Sequence, residues 1–174
     1  VSASPNHQTG RMTPFETRGV VAMAGSFGYE LDLNRISEEE KEAVRRQVKD
    51  YGKYYDLIHQ GDYYRLNAPG DERNYVAWAF VSEDKKRALF NLVVTHVKAN
   101  PAAMFVKLKG LDPAKKYRVP VISSPFAAYM AEKGEKTEAP KERLISGSAL
   151  MNAGLSIPSW PGEYRSVQIE LTAE

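Results

Sequence analysis

Apolar and polar positions change their rhythm near residue 60. Upstream, Val44, Val48, Tyr51, Tyr55 and Ile58 recur at three- and four-residue spacing, which places them on one stripe of a helix. Arg45, Arg46, Lys49 and Lys53 fall on the other side. Ser37-Glu38-Glu39-Glu40 in front of the stripe is a capping box, in which the Ser hydroxyl accepts from the Glu40 N–H and the Glu40 carboxylate reaches back. The three glutamates also sit at the positive end of the helix dipole. Gly61 supplies a C-terminal cap. The spacing predicts a helix over residues 38–59. Thr13-Pro14 reads as an N-cap followed by a proline at the first helical position. A short helix over 14–24 would bury Val20, Val21 and Met23 and close at Gly25. Phe27 to Leu33 alternates and predicts a short strand. Helix, strand and helix in that order are a piece of an α/β unit.

Downstream of residue 60 the runs are short, alternating and broken by turn residues, the pattern of an all-β region. Strands are expected over residues 63–67, 75–81, 88–97, 104–109, 117–119, 144–151 and 165–171. The second and third pair across the polar turn Ser82-Glu83-Asp84-Lys85-Lys86, and the imperfect alternation of the third suggests a bulge. Residues 132–143 are charged and carry Pro and Gly, so they are expected to form an exposed loop. The fold expected is mainly β: an antiparallel Greek-key β-sandwich over 61–174, preceded by an α/β segment over 1–60.

Composition narrows the function. At 174 residues with 43% hydrophobic and 26% charged side chains, the chain is globular and not disordered. Its 24 basic and 22 acidic residues leave a net charge of +2 spread over both segments, so no basic patch marks it for nucleic acid. The absence of cysteine excludes disulfides, thiolate metal sites and a cysteine nucleophile, and fits a reducing compartment. The longest apolar run, Tyr75 to Val81, is far short of the roughly 20 residues of a membrane helix. The chain opens without Met or a signal-peptide pattern, so its start reads as a cut.

Candidate chemistry is sparse. Asn6, His7 and Gln8, in Pro5-Asn6-His7-Gln8, put donors and acceptors in one loop before a helix, which suits sugar hydroxyls and equally suits a loop bonded to its own backbone. Glu30 with Asp32, and Asp56 with Asp62, are carboxylate pairs of the kind a glycosidase uses, but salt bridges or solvent explain them as well. His59 and His96 are isolated, and no metal-ligand spacing occurs, so no metal or cofactor is expected. Ser146-Gly147-Ser148 reads as a turn. Tyr51, Tyr54, Tyr55, Tyr63 and Tyr64 offer either a stacking platform or junction packing, and packing is the stronger reading. Trp78 belongs in the core, whereas Trp160 in its Ser-Trp-Pro-Gly loop fits either role.

Several of these stretches resemble a known family. Val1-Ser2-Ala3-Ser4-Pro5-Asn6-His7-Gln8-Thr9-Gly10-Arg11, Thr17-Arg18-Gly19 and Phe27-Gly28-Tyr29-Glu30-Leu31-Asp32 are similar, in order, to bacterial α-galactosidases of glycoside hydrolase family 36. So are Gly61-Asp62-Tyr63-Tyr64-Arg65-Leu66, Leu108-Lys109-Gly110-Leu111-Asp112-Pro113, Tyr117-Arg118-Val119, and Ser146-Gly147 through Leu150-Met151-Asn152-Ala153-Gly154-Leu155. The resemblance implies a larger enzyme, with this chain as the end of a (β/α)8 barrel (1–60) plus a C-terminal β-sandwich (61–174). It implies a retaining mechanism with two aspartates in barrel motifs that do not occur here and would lie upstream. No catalytic residue carries over, and Asn6, His7 and Gln8 are the substrate-proximal candidates.

The resemblance further implies a cytoplasmic homo-oligomer acting on α-galactoside oligosaccharides of the raffinose or melibiose type. Neither a nucleic acid nor a membrane is an expected partner. The alternative is a non-catalytic carbohydrate-binding or structural sandwich, the former presenting exposed aromatics on one face and the latter burying them at a junction. Without the rest of a barrel, residues 1–34 are expected to be loosely held and the 38–59 helix to stay docked.

Overall fold

The computed structural model describes residues 1–67, 74–100, 104–122 and 142–174. Helix α1 spans Phe15–Ala22 and α2 spans Glu38–Gln60. Strands β1 (Asp62–Arg65), β2 (Tyr75–Val81), β3 (Arg87–Val94), β4 (Met104–Val106), β5 (Lys116–Pro120) and β6 (Glu142–Ser146) follow. A short helix α3 (Gly147–Asn152), β7 (Leu155–Ile157) and β8 (Ser166–Ala173) complete the order. Six strands form one antiparallel sheet in the order β1-β2-β3-β8-β5-β6, and β4 pairs with β7 in a second. After crossing to the second sheet at β7, the chain returns as β8 and inserts between β3 and β5.

The six-stranded sheet is covered on both faces. Ala77, Ala79, Ala88, Phe90 and Leu92 point toward β4, α3 and β7, where Val106, Leu150, Leu155 and Ile157 complete the main core. Trp78, Phe80, Leu89 and Val93 point the other way, onto Met23, Tyr54, Leu57 and Ile58 of the helical layer. This explains the imperfect alternation of β3. Its register runs unbroken from Ala88 opposite Val81 to Val94 opposite Tyr75, so the expected bulge is absent. A strand buried on both faces has no polar face to alternate with.

Helix α2 carries the expected capping box: Ser37 Oγ accepts from the Glu40 N–H at 3.2 Å, and Glu40 Oε2 accepts from the Ser37 N–H at 3.1 Å. Its buried face keeps Ile58 and a half-buried Tyr51 from the expected stripe but otherwise lies one residue over. Ala43, Gln47, Tyr54, Leu57 and Ile58 are buried, while Val48 is 55% and Tyr55 49% exposed. Moving the face by one residue rotates the helix by about 100°. Gln47 decides the rotation. Its amide donates to Phe15 O (3.3 Å) and Glu16 Oε2 (3.2 Å) and accepts from Tyr29 Oη (2.9 Å), so a polar residue is satisfied inside. Burial, helped by the charge of Glu16, pushes the Tyr29 hydroxyl up to about 12.

Two upstream expectations change. Pro14 is itself the cap of α1, with extended backbone and its carbonyl accepting from Arg18 N at 3.1 Å. Met23 is buried as expected, but Val21 is 53% exposed. The strand over 27–33 reduces to a single parallel bridge between Ser2 and Glu30. The alternation is real, with Phe27, Tyr29 and Leu31 turned inward and Gly28, Glu30 and Asp32 outward, but among the described residues its backbone partners are confined to Val1 and Ser2. Residues 1–34 do make contacts with the rest of the chain in this structure. Met23 packs in the helical core, and the buried Thr17 hydroxyl bonds to Tyr164 O and Ser166 Oγ.

Downstream, the expected strand over 144–151 turns into a helix after Ser146, whose Oγ accepts from the Ala149 N–H at 3.1 Å. Glu142 and Arg143, assigned to a loop from sequence, belong to β6, and the rest of that loop, 132–141, lies outside the described residues.

An ion triad ties α2 to the sheet. Glu170 of β8 meets Lys53 Nζ at 2.6 Å and Arg87 Nε at 2.7 Å. Burial alone raises the Glu170 carboxyl, but hydrogen bonds and charge from Lys53 and Arg87 hold it below its ordinary 4.5. The hydrogen bond to Glu170 raises Lys53 above 10.5. A depressed carboxyl stabilises the fold above its unfolded pKa and loses that as pH falls through the folded value. A raised amine stabilises below its unfolded pKa and loses that as pH rises through the folded value. Stability from the triad should therefore hold between about pH 5 and 10 and fall on the acid side. Glu170→Gln should flatten the acid limb of a plot of thermal midpoint against pH, and an unchanged limb would dismiss the triad as a contributor.

Candidate functional site

Within residues 1–40, α1 connects two extended segments that meet in one parallel bridge. Ser2 and Glu30 face each other in the parallel bridge, Glu30 N donates to Val1 O at 2.9 Å, and α1 lies between them in sequence. Two segments paired in parallel run out at the same end. The segment after Ser2 and the segment after Glu30 therefore emerge together, and they enclose a cavity of about 370 Å³. Ser4, Pro5, Arg18, Asp32, Arg35 and Glu40 line it.

Each residue of Thr17-Arg18-Gly19 has a task here. Thr17 bonds to Tyr164 O just before β8 and to Ser166 Oγ at its start. Arg18 reaches toward the bridge, donating to Ser2 O and to Thr13 O (3.1 Å) and approaching Glu40 at 3.6 Å. Gly19 lets the helices touch, since a Cβ there would stand 2.3 Å from Gln47 Nε2.

The three sequence-derived candidates stay together but divide in role. Asn6 Oδ1 accepts from Gln8 N (3.0 Å), Thr9 N (3.0 Å) and Thr9 Oγ1 (3.1 Å), so Asn6 holds the turn. His7 and Gln8 are exposed, and their side chains hydrogen-bond to none of the described residues. Of the carboxylates expected as pairs, Asp32 alone makes a side-chain hydrogen bond among the described residues, and Glu30 stands exposed in the bridge to Ser2. Asp32 Oδ1 caps a turn through Asn34 N at 2.9 Å, and Glu40 serves the capping box. Asp56 borders a separate 160 Å³ cleft with Glu83 and Arg87, while Asp62 opens β1. No group of three or more His, Asp or Glu is placed to hold a metal among the described residues. The cleft thus sets Asp32 and Glu40, both hydrogen-bonded, beside Arg18 and Arg35, while Asn6, His7 and Gln8 follow its Pro5 edge in sequence and do not line it.

Sequence reading missed one contributor. Arg11 closes the Asn6 turn, its carbonyl accepting from Asn6 N at 2.9 Å, and its guanidinium lies 5.3 Å from the Tyr164 ring. No spacing rule connects residues so far apart in the chain.

The Glycosyl hydrolase family 36 C-terminal domain matches residues 75–171, and the Melibiase family matches residues 1–61. The chain belongs to glycoside hydrolase family 36. Its family 36 relatives include the bifunctional alpha-galactosidase/sucrose kinase AgaSK of Mediterraneibacter gnavus, 43% identical over 99% of this chain and 16% of that protein. Alpha-galactosidase AgaA of Geobacillus stearothermophilus is 35% identical over 99% of the chain and 21% of its own length. The solved galactosidase domain of AgaSK superposes with a TM-score of 0.84 at 42% identity, covering 100% of this chain and 21% of that one. A variant of AgaA solved in complex with raffinose gives 0.83 at 35% identity, with 100% and 21% coverage. The chain thus corresponds to a small part of each family 36 relative, and its mainly β architecture with a short α/β lead is that part's fold.

Proposed function

We propose that this chain is the C-terminal part of a retaining α-galactosidase that removes terminal α-galactosyl residues from raffinose- or melibiose-type oligosaccharides. In this reading residues 1–60 end a (β/α)8 barrel and 61–174 form the sandwich that supports it. The observation that carries the reading is the parallel Ser2–Glu30 bridge, within a family 36 chain, from which the 3–8 and 31–37 segments run out at the same end. Active sites of such barrels are built from loops at that end.

The exposed Val21, Val48 and Tyr55 support the reading, since helices of a barrel need apolar faces toward further neighbours. One relative, AgaA, solved as variants with raffinose and with stachyose, supports the substrate class. Asn6 shapes the substrate-side turn, and His7 and Gln8 face the sugar. The parent is read as a cytoplasmic homo-oligomer, its compartment resting on the cysteine-free composition. Aromatics concentrate at the junction, where Tyr54, Trp78 and Phe80 are buried, and this favours support over an independent sugar-binding module.

A retaining glycosidase needs two carboxyls about 5–5.5 Å apart, and the reading places both upstream. The parent enzyme should release galactose from raffinose with retained anomeric configuration, while the isolated chain should leave a nitrophenyl α-galactoside intact. A parent inactive on every α-galactoside would sink the reading. Turnover that scales with the concentration of the isolated chain would sink the supporting role.

A further inference from the structure

We propose that Tyr164, in the segment between β7 and β8, is a positioning residue that sets the substrate-side turn through Arg11. The inference rests on the functional reading above and adds a route by which the sandwich acts on the site. Tyr164 is anchored from the sheet: its N–H donates to Val94 O at 2.8 Å, and Val94 N donates to Arg165 O at 2.8 Å. Its backbone is left-handed, with φ of 59°. Glycine is the usual occupant of that region, and Gly162 takes it two residues earlier. A tyrosine held there points to a use for the ring.

The ring meets the Arg11 guanidinium at 5.3 Å, within cation–π range. The carbonyl of Tyr164 accepts from the buried Thr17 hydroxyl, so the same residue also holds α1. On the far side, Arg11 O accepts from Asn6 N, and Asn6 Oδ1 accepts from Gln8 N. Sheet, Tyr164, Arg11, Asn6 and the His7–Gln8 pair form one unbroken series of contacts. Removing the ring would free Arg11 and loosen the base of the turn while leaving β3 and β8 paired.

The test uses the full-length parent. Tyr164→Gly deletes the ring and keeps the left-handed backbone accessible, so the fold should survive with its thermal midpoint nearly unchanged. KM for raffinose should rise about fivefold with kcat less affected, and Arg11→Ala should do the same. The double variant should add nothing further, and Tyr164→Phe should behave as wild type. Amide exchange at Gln8, Thr9 and Gly10 should speed up in Tyr164→Gly, a readout independent of activity. A wild-type parent that cleaves no α-galactoside overturns the functional reading and this proposal together. An active parent in which Tyr164→Gly leaves both KM and the exchange of the turn unchanged overturns this proposal alone.

Discussion

Replacing Leu92 with Ala should lower folding stability by about 2–5 kcal/mol, and replacing Trp78 with Ala by about 3–5 kcal/mol, through different cores. Leu92 is 0% exposed and points into the main core between the two sheets. Trp78, opposite Asn91 in the register, points into the helical core beside Tyr54, Leu57 and Ile58. The Leu92 cavity should therefore weaken the sandwich itself, and the Trp78 cavity the seat of α2. Trp78 Nε1 is buried without a hydrogen-bond partner among the described residues. Trp78→Phe should consequently cost much less than Trp78→Ala, because it loses packing volume and no hydrogen bond. Charge reversal at the exposed Lys49 should stay within about 0.5 kcal/mol. Urea denaturation measures all four. Equal losses at Leu92, Trp78 and Lys49 would mean that the assignment of faces is wrong.

Adding one methyl group should be nearly as damaging at Gly147. A Cβ there would lie 2.1 Å from Asp112 O, 2.9 Å from Asp112 C and 3.1 Å from Tyr117 Cε2. Two of these are backbone atoms, and the third belongs to a ring that is 0% exposed. Neither neighbour can swing away. The Tyr117 hydroxyl donates to Lys85 O (2.7 Å) and accepts from Asp112 N (3.0 Å), and Gly147 N donates to Lys115 O (2.9 Å). Gly147→Ala must therefore shift the turn around Asp112, the start of α3 and the Tyr117 anchor together. The expected loss is about 3 kcal/mol, or roughly 6–12 °C in thermal midpoint. Gly52 is the opposite case. It sits within α2, and a Cβ added there would meet nothing within 4 Å, so Gly52→Ala should stabilise by up to about 1 kcal/mol. Calorimetry on the two variants should show midpoints moving in opposite directions. A neutral Gly147→Ala would show that the turn at Asp112 is softer than its contacts indicate.

Elements specified by local chemistry were legible in the residues. The capping box at Ser37 and Glu40 set the start of α2, because every interacting group lies within one turn. The run Tyr75–Val81 matched its strand residue for residue, since seven apolar positions in a row have no polar register to slip into. The ordered motifs placed the chain in family 36, and the Asn6 turn was visible as a loop rich in hydrogen-bonding groups. Its division of labour was not visible, because whether Asn6 or His7 turns inward depends on which backbone N–H groups the folded turn presents.

What the sequence determined by itself was therefore the class of each strongly patterned segment and the family. What the tertiary structure decided was which faces those segments bury and what they touch. Helix α2 carries two adjacent stripes, and only the docking of α1 across Gly19 chose the one that contains Gln47. Strand β3 is apolar on both sides, and only the helical layer explains why. Residues 144–151 have strand-like composition, but Ser146 caps a helix because close approach to Asp112 turns the chain there. The pairing of Arg11 with Tyr164 joins residues far apart in the chain, and the contact exists only because the sheet returns the segment before β8 to the N-terminal segment. Local patterns constrain dihedrals and periodicity, whereas the choice among equally apolar faces rests on contacts between segments distant in the chain.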